Sequence, residues 1–182
     1  MMYLHSMNIV NYDLSSENIY LYDNDYPKLG NFSSHPYSDY FPNYNQINKI
    51  ENNLWTPPEL YDDEDDFMIP KTDVYSFGII LWELLTEQCP YLDINPSEYE
   101  FRIKKNCERP KIPEETPKHL KKLIELCWSS DPEERLSFHK IYELFTSKKV
   151  LFSNTDINLL AKDSVVSYEW MKMHGSKKKR FP

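Results

Sequence analysis

The sequence predicts a mainly α-helical domain with one small β-hairpin, from three observations. Val74 to Leu85 is apolar on nearly every face, residues 118–129 and 137–145 carry amphipathic helical stripes, and residues 19–29 alternate in the manner of short strands. At 182 residues the chain is long enough for one sizeable core and too short for two comfortable domains.

Along the chain, Ile19 and Leu21 alternate with Tyr20 and Tyr22, and Asp23, Asn24 and Asp25 supply turn chemistry before Pro27-Lys28-Leu29, which makes a hairpin the simple reading. From Phe32 to Leu54 the sequence is rich in Ser, Asn, Tyr and Pro with no sustained period, so a long loop is expected. Aromatic packing is the commoner role for its Tyr37, Tyr40 and Tyr44, ahead of phosphorylation. The acidic run at residues 62–66 reads as a solvated loop. Thr72 or Asp73 can cap the helix whose body runs from Val74 to Leu85, and an element apolar all round belongs at the centre of a core. Leu120, Leu123, Ile124, Cys127 and Trp128 then line one helical face, with Lys118, Lys121, Lys122 and Glu125 opposite. Ser137 can cap a last helix that turns Phe138, Ile141, Leu144 and Phe145 inward. Residues 149–182 read as a tail, partly disordered, with room for a short helix and a basic end at Lys177 to Arg180.

Composition excludes several function classes. Lys plus Arg total 21 against 29 Asp plus Glu, a net charge of -8 that repels a phosphate backbone and disfavours a nucleic-acid partner. Only three glycines are present, Gly30, Gly78 and Gly175, too few and too scattered for a glycine-rich phosphate cradle. Cys89, Cys107 and Cys127 have neither disulfide-framework nor zinc-site spacing, which fits a reducing compartment. The most apolar stretch carries Glu83 and falls well short of the roughly 20 residues that cross a bilayer. With no secretory signal visible, a soluble cytoplasmic protein without membrane insertion is expected.

Asp13 and Asn18 stand five apart in Asn11-Tyr12-Asp13-Leu14-Ser15-Ser16-Glu17-Asn18, just before the hairpin. Downstream come Asn31-Phe32-Ser33 and, after the loop, Trp55-Thr56-Pro57-Pro58-Glu59; then Asp73-Val74-Tyr75-Ser76-Phe77-Gly78, Arg109-Pro110, and Cys127-Trp128 through Arg135. This order resembles the C-terminal lobe of the eukaryotic protein kinases, and the last blocks are most like the tyrosine-kinase and tyrosine-kinase-like branches. In that family the catalytic loop reads His-Arg-Asp-Leu, three variable residues, then Asn; the metal loop reads Asp-Phe-Gly; and the activation segment ends Ala-Pro-Glu. The resemblance covers residues 1–148. It implies Asp13 as the base beside a substrate hydroxyl, Asn18 and Asn31 as the nucleotide- and metal-binding positions, ATP and Mg2+ as cofactors, and a structural role for Glu59, Asp73 and Arg135. Glu59 and Arg135 would form a buried bidentate ion pair, and Asp73 would accept backbone N–H groups of the catalytic loop, although a plain N-cap is an equal alternative.

Departures from the family pattern point to an impaired site. Asn31 puts a neutral amide where the family has the magnesium-binding carboxylate, Tyr12 replaces the Arg that receives a phosphorylated activation loop, and Ser15 replaces the Lys near the transferred phosphate. The chain also begins inside the helix that precedes the catalytic loop, so the N-terminal lobe, with its glycine loop, strand lysine and partner glutamate, is absent from these residues. A helix shortened to Met1 through His5 is expected to leave the helix at 74–85 partly uncovered, calling for upstream residues or a partner over that face. The reading that follows is a protein-kinase-like module that engages other proteins. The alternative is an ATP-dependent protein kinase completed by an upstream N-terminal lobe.

Overall fold

The computed structural model describes residues 1–11, 13–22, 26–30, 54–61, 70–99 and 101–147. Tyr12, the hairpin turn at 23–25, Asn31 and the long loop with Tyr37, Tyr40 and Tyr44, the acidic run at 62–66 and the tail at 149–182 lie outside the described residues. In chain order the elements are helix α1 (Met2–Ser6), strands β1 (Ile19–Tyr22) and β2 (Tyr26–Leu29), and helices α2 (Pro70–Thr86), α3 (Lys118–Cys127) and α4 (Phe138–Thr146). Single 3-10 turns at Ser16–Asn18, Pro58–Tyr61, Pro96–Glu98 and Pro132–Glu134, and a π-helical turn at Phe101–Lys105, join them. The architecture is mostly helical with one two-stranded antiparallel sheet, in which Ile19 pairs with Leu29 and Tyr22 with Tyr26.

Helix α2 is the axis of the core. Val74, Tyr75 and Ile79 are wholly buried, and eleven of its seventeen residues are buried. It begins at Pro70, ahead of the expected caps at Thr72 and Asp73, because proline fits the first turn of a helix, where no intrahelical partner for its missing N–H exists. Of the α2 face expected to lie uncovered, most is buried, while Phe77, Leu84 and Leu85 are partly exposed. Residues of α3, α4 and the Trp55 segment share the core with α2, and Met2, Tyr3 and Met7 are among the exposed apolar groups.

Amphipathic periodicity places α3 as expected, with Leu120, Leu123, Ile124 and Cys127 buried against α2. The two helices approach closely at Gly78, where a Cβ would sit 2.8 Å from Cys127 Cβ and 3.2 Å from Trp128 N. Helix α4 starts where Ser137 Oγ accepts the Lys140 N–H at 3.2 Å, the cap that the sequence indicates. Phe138 and Ile141 are buried, while Leu144 and Phe145 pack at the edge of the core.

Candidate functional site

The segment from Asp13 to Asn18 ends in a 3-10 turn ahead of β1, and side chains hold it where helical hydrogen bonds do not. Asn18 is buried, and its amide Nδ2 donates to the Asp13 carbonyl at 2.9 Å and to the Asp13 carboxylate Oδ2 at 2.7 Å. Asp13 itself is half-buried, and its N–H donates to Asn11 Oδ1 at 3.2 Å, an Asx turn that orients the carboxylate. The Gly30 N–H donates to the Asn18 carbonyl at 2.7 Å, tying the end of the hairpin to the same turn.

Asp73 fastens this segment from below. Wholly buried in the first turn of α2, it accepts the Asn11 N–H at 2.9 Å and lies 2.8 Å from His5 Nε2, both on Oδ2. The carboxylate therefore joins α1, the Asp13 segment and α2, whereas an N-cap would join only neighbours in one helix.

A second cluster surrounds Arg135, whose side chain is fully buried. Its guanidinium meets Glu59 in a two-pronged pair, Nη1 to Oε1 at 2.5 Å and Nη2 to Oε2 at 2.7 Å. Nη1 also donates to the Lys71 carbonyl at 3.1 Å and Nε to the Ser129 carbonyl at 2.8 Å. Lys71 returns the contact, its ammonium donating to the Arg135 carbonyl at 2.5 Å. Two cations lie over the Tyr75 ring, Arg109 at 5.0 Å and Arg135 at 5.1 Å from its centroid. Through these contacts the Pro58–Tyr61 turn, the start of α2 and the Pro132–Glu134 turn form one joint.

A third node is Glu83, a carboxyl inside the apolar body of α2. It is 6% exposed, and it accepts the indole N–H of Trp55 at 2.7 Å and the Ser16 hydroxyl at 3.0 Å. Burial pushes its pKa from 4.5 up to about 8, the two hydrogen bonds pull the other way, and the charge of Glu17 adds a small push upward.

The structure brings Asp13 and Asn18 together, and separately Glu59 and Arg135; Asp73 sits beneath the first pair, while Asn31 lies outside the described residues. Sequence reasoning passed over Glu83, Ser16, Trp55, His5 and Asn11. A glutamate inside an otherwise apolar run was the available signal, since a buried carboxyl must find partners. His5 and Asn11 give no such signal, because their partner lies more than sixty residues away.

A protein-family model described as protein tyrosine and serine/threonine kinase matches residues 1–145, four-fifths of the chain. This chain belongs to that kinase family. Among curated relatives, it is 33% identical over 145 residues to the serine/threonine/tyrosine-protein kinase HT1 of Arabidopsis thaliana, covering 78% of this chain and 35% of that protein. It is 37% identical over 149 residues to the serine/threonine-protein kinase CTR1 of the same plant, covering 79% and 17%. The match to mitogen-activated protein kinase kinase kinase 12 of Rattus norvegicus is 32% over 142 residues, covering 78% and 15%. The chain thus spans about a third or less of the length of these kinases.

Kinase membership implies ATP and Mg2+ in general, and the residues present can be compared with that requirement. Among the described residues no group of three His, Cys, Asp or Glu could hold a metal ion. Of the two positions that the resemblance assigns to metal ligands, Asn18 keeps the family's Asn, and Asn31 carries a neutral amide where the family has a carboxylate. The Asn18 amide nitrogen is engaged with Asp13. Among the described residues, no helix is long and apolar enough to cross a membrane.

Proposed function

We propose that residues 1–148 form the helical C-terminal lobe of a protein-kinase-like domain that is catalytically impaired and acts as a protein-interaction or regulatory module. The observation that carries this reading is the exchange of charge for amide at the metal position. Phosphoryl transfer depends on neutralising charge, and a site with Asn31 in place of the family's anionic ligand gives a metal–nucleotide complex less to bind. The rest of the domain keeps its framework: Glu59 with Arg135 and Asp73 beneath Asp13 are the contacts that hold a shape, and that shape is what a regulatory module offers. The partners are other proteins. Support comes from an open cleft of about 780 Å3 lined by Met2, Tyr3, Val74 and Phe138, with the exposed Met2 and Tyr3 at its edge.

The test is a nucleotide with Mg2+ or Mn2+, read as a shift in melting temperature. No metal-dependent shift is expected. Micromolar, metal-dependent binding abolished by Asn18→Ala or Asn31→Ala overturns the reading. The retained Asp13 favours a second reading, an ATP-dependent protein kinase completed by further residues of a longer protein. That reading requires phosphoryl transfer by the longer protein to be lost on Asp13→Asn; transfer that survives the substitution excludes Asp13 as the base.

A further inference from the structure

Glu83 is the one place among the described residues where α2, the Asp13–Asn18 segment and the turn leading to Glu59 meet on a single carboxyl, through Ser16 and Trp55. Its surroundings decide its charge. Two neutral donors face it, one from each neighbouring segment, and no ion pair among the described residues includes it. The titratable groups that act across the same space are Glu17, beside Ser16, and the half-buried Cys89 thiol beyond the end of α2; neither supplies a positive charge. A carboxylate at 6% exposure without a cation is costly, and a carboxylic acid there is not.

Hydrogen-bond chemistry also places the proton. The Trp55 indole can only donate, so Oε2 must remain an acceptor. A hydroxyl can donate or accept, so the 3.0 Å contact between Oε1 and Ser16 Oγ serves equally when Glu83 is the donor. We propose that Glu83 is a protonated acid that latches the Asp13–Asn18 segment to the Trp55–Glu59 turn, and that the latch weakens as pH rises. On opening, Glu83 reaches water and releases its proton to solvent, while Trp55 and Ser16 lose their shared partner. Rising pH therefore favours the open form by about tenfold per pH unit, levelling off near 8 where the closed form also loses the proton. The latch deepens the reading of the Asp13 segment as a regulated framework, and it rests on that reading only for its consequence.

The experiment is hydrogen exchange on the full chain, read at one amide on each side of the latch. Asn18 N–H donates to Ser15 at 3.1 Å, and Leu60 N–H donates to Pro57 at 3.2 Å. After correction for the intrinsic pH dependence of exchange, the opening constant at both amides should rise about tenfold per pH unit up to about 8 in the native chain. Glu83→Gln keeps an acceptor for Trp55 and a donor for Ser16 but has no proton to lose, so its profile should be flat. A flat profile in the native chain, or the same slope in Glu83→Gln, overturns the latch. Should Glu83→Gln not fold, infrared spectroscopy of the native chain decides: a protonated-carboxyl band persisting at neutral pH supports the proposal, and its absence sinks it. None of these readouts involves a nucleotide, so failure of the latch and failure of the impaired-kinase reading are separate results.

Discussion

Removing the partner of Arg135 is the most demanding perturbation that the structure suggests. In Glu59→Leu the guanidinium keeps the Ser129 and Lys71 carbonyls and the Tyr75 ring but loses its counter-charge, while its side chain stays fully buried. Breaking a buried pair from one side costs about 3–5 kcal/mol, because the surviving charge is stranded away from water. For a domain whose total stability is of the order of 5–15 kcal/mol, that is a large fraction. Replacing both partners, as Glu59→Leu with Arg135→Met, removes the stranded charge and takes the guanidinium donor from the Ser129 and Lys71 carbonyls, the second of which lies in the first turn of α2, for a loss of about 1–3 kcal/mol. The double variant should therefore be more stable than Glu59→Leu alone, with a coupling of about 2 kcal/mol or more in the double-mutant cycle. Urea midpoints at unchanged m-value measure each arm. A loss below about 1 kcal/mol for Glu59→Leu, or additivity of the two substitutions within about 0.5 kcal/mol, would refute the claim that this pair fastens the Pro58–Tyr61 turn to the helices.

Three other substitutions probe different parts of the framework. Because Glu83 has a pKa of about 8 folded against 4.5 unfolded, its stabilising proton is fully held below about 4.5 and lost as pH rises through 8, a decline of up to about 5 kcal/mol across that window. Glu83→Gln should remove that component from the stability profile measured by denaturant; an unchanged profile contradicts the assignment. Asp73→Ala leaves the His5 ring and the Asn11 N–H without their buried acceptor, at a cost of about 2–5 kcal/mol, and Asn11 amide protection should fall with it. Protection that persists at Asn11 would show that another group holds the segment. Gly78→Ala gains about 1 kcal/mol of helix propensity but drives a methyl group to 2.8 Å from Cys127 Cβ, and overpacking of that kind costs about 1–3 kcal/mol. A net rise in melting temperature would mean that α3 can move away freely.

The helices were readable because their signals are local. The stripe from Leu120 to Cys127 and the cap at Ser137 rest on residues within two turns of each other, and their geometry follows from the helical repeat. The start of α2 was misjudged because a cap at Thr72 or Asp73 and a proline first turn at Pro70 are both compatible with the same letters. The recurring Pro-Glu, Asp and Arg blocks, in order, also sufficed to place the chain among the kinases. From those letters came the expected pairing of Glu59 with Arg135, but only through the resemblance, since nothing in spacing joins residues 76 apart.

What the sequence determined alone was the helical class, the hairpin, the family and the neutral amides at positions 18 and 31, all of which are properties of residue identity and short-range order. Tertiary structure decided which charges are paired, which are buried and which are silent. Glu83 and Glu87 are the same residue four positions apart, one inside α2 and the other just past its end, yet one is 6% exposed between Trp55 and Ser16 and the other faces water. Their different chemistry arises because desolvation and hydrogen bonding depend on segments distant in sequence that only the folded chain brings to the same place.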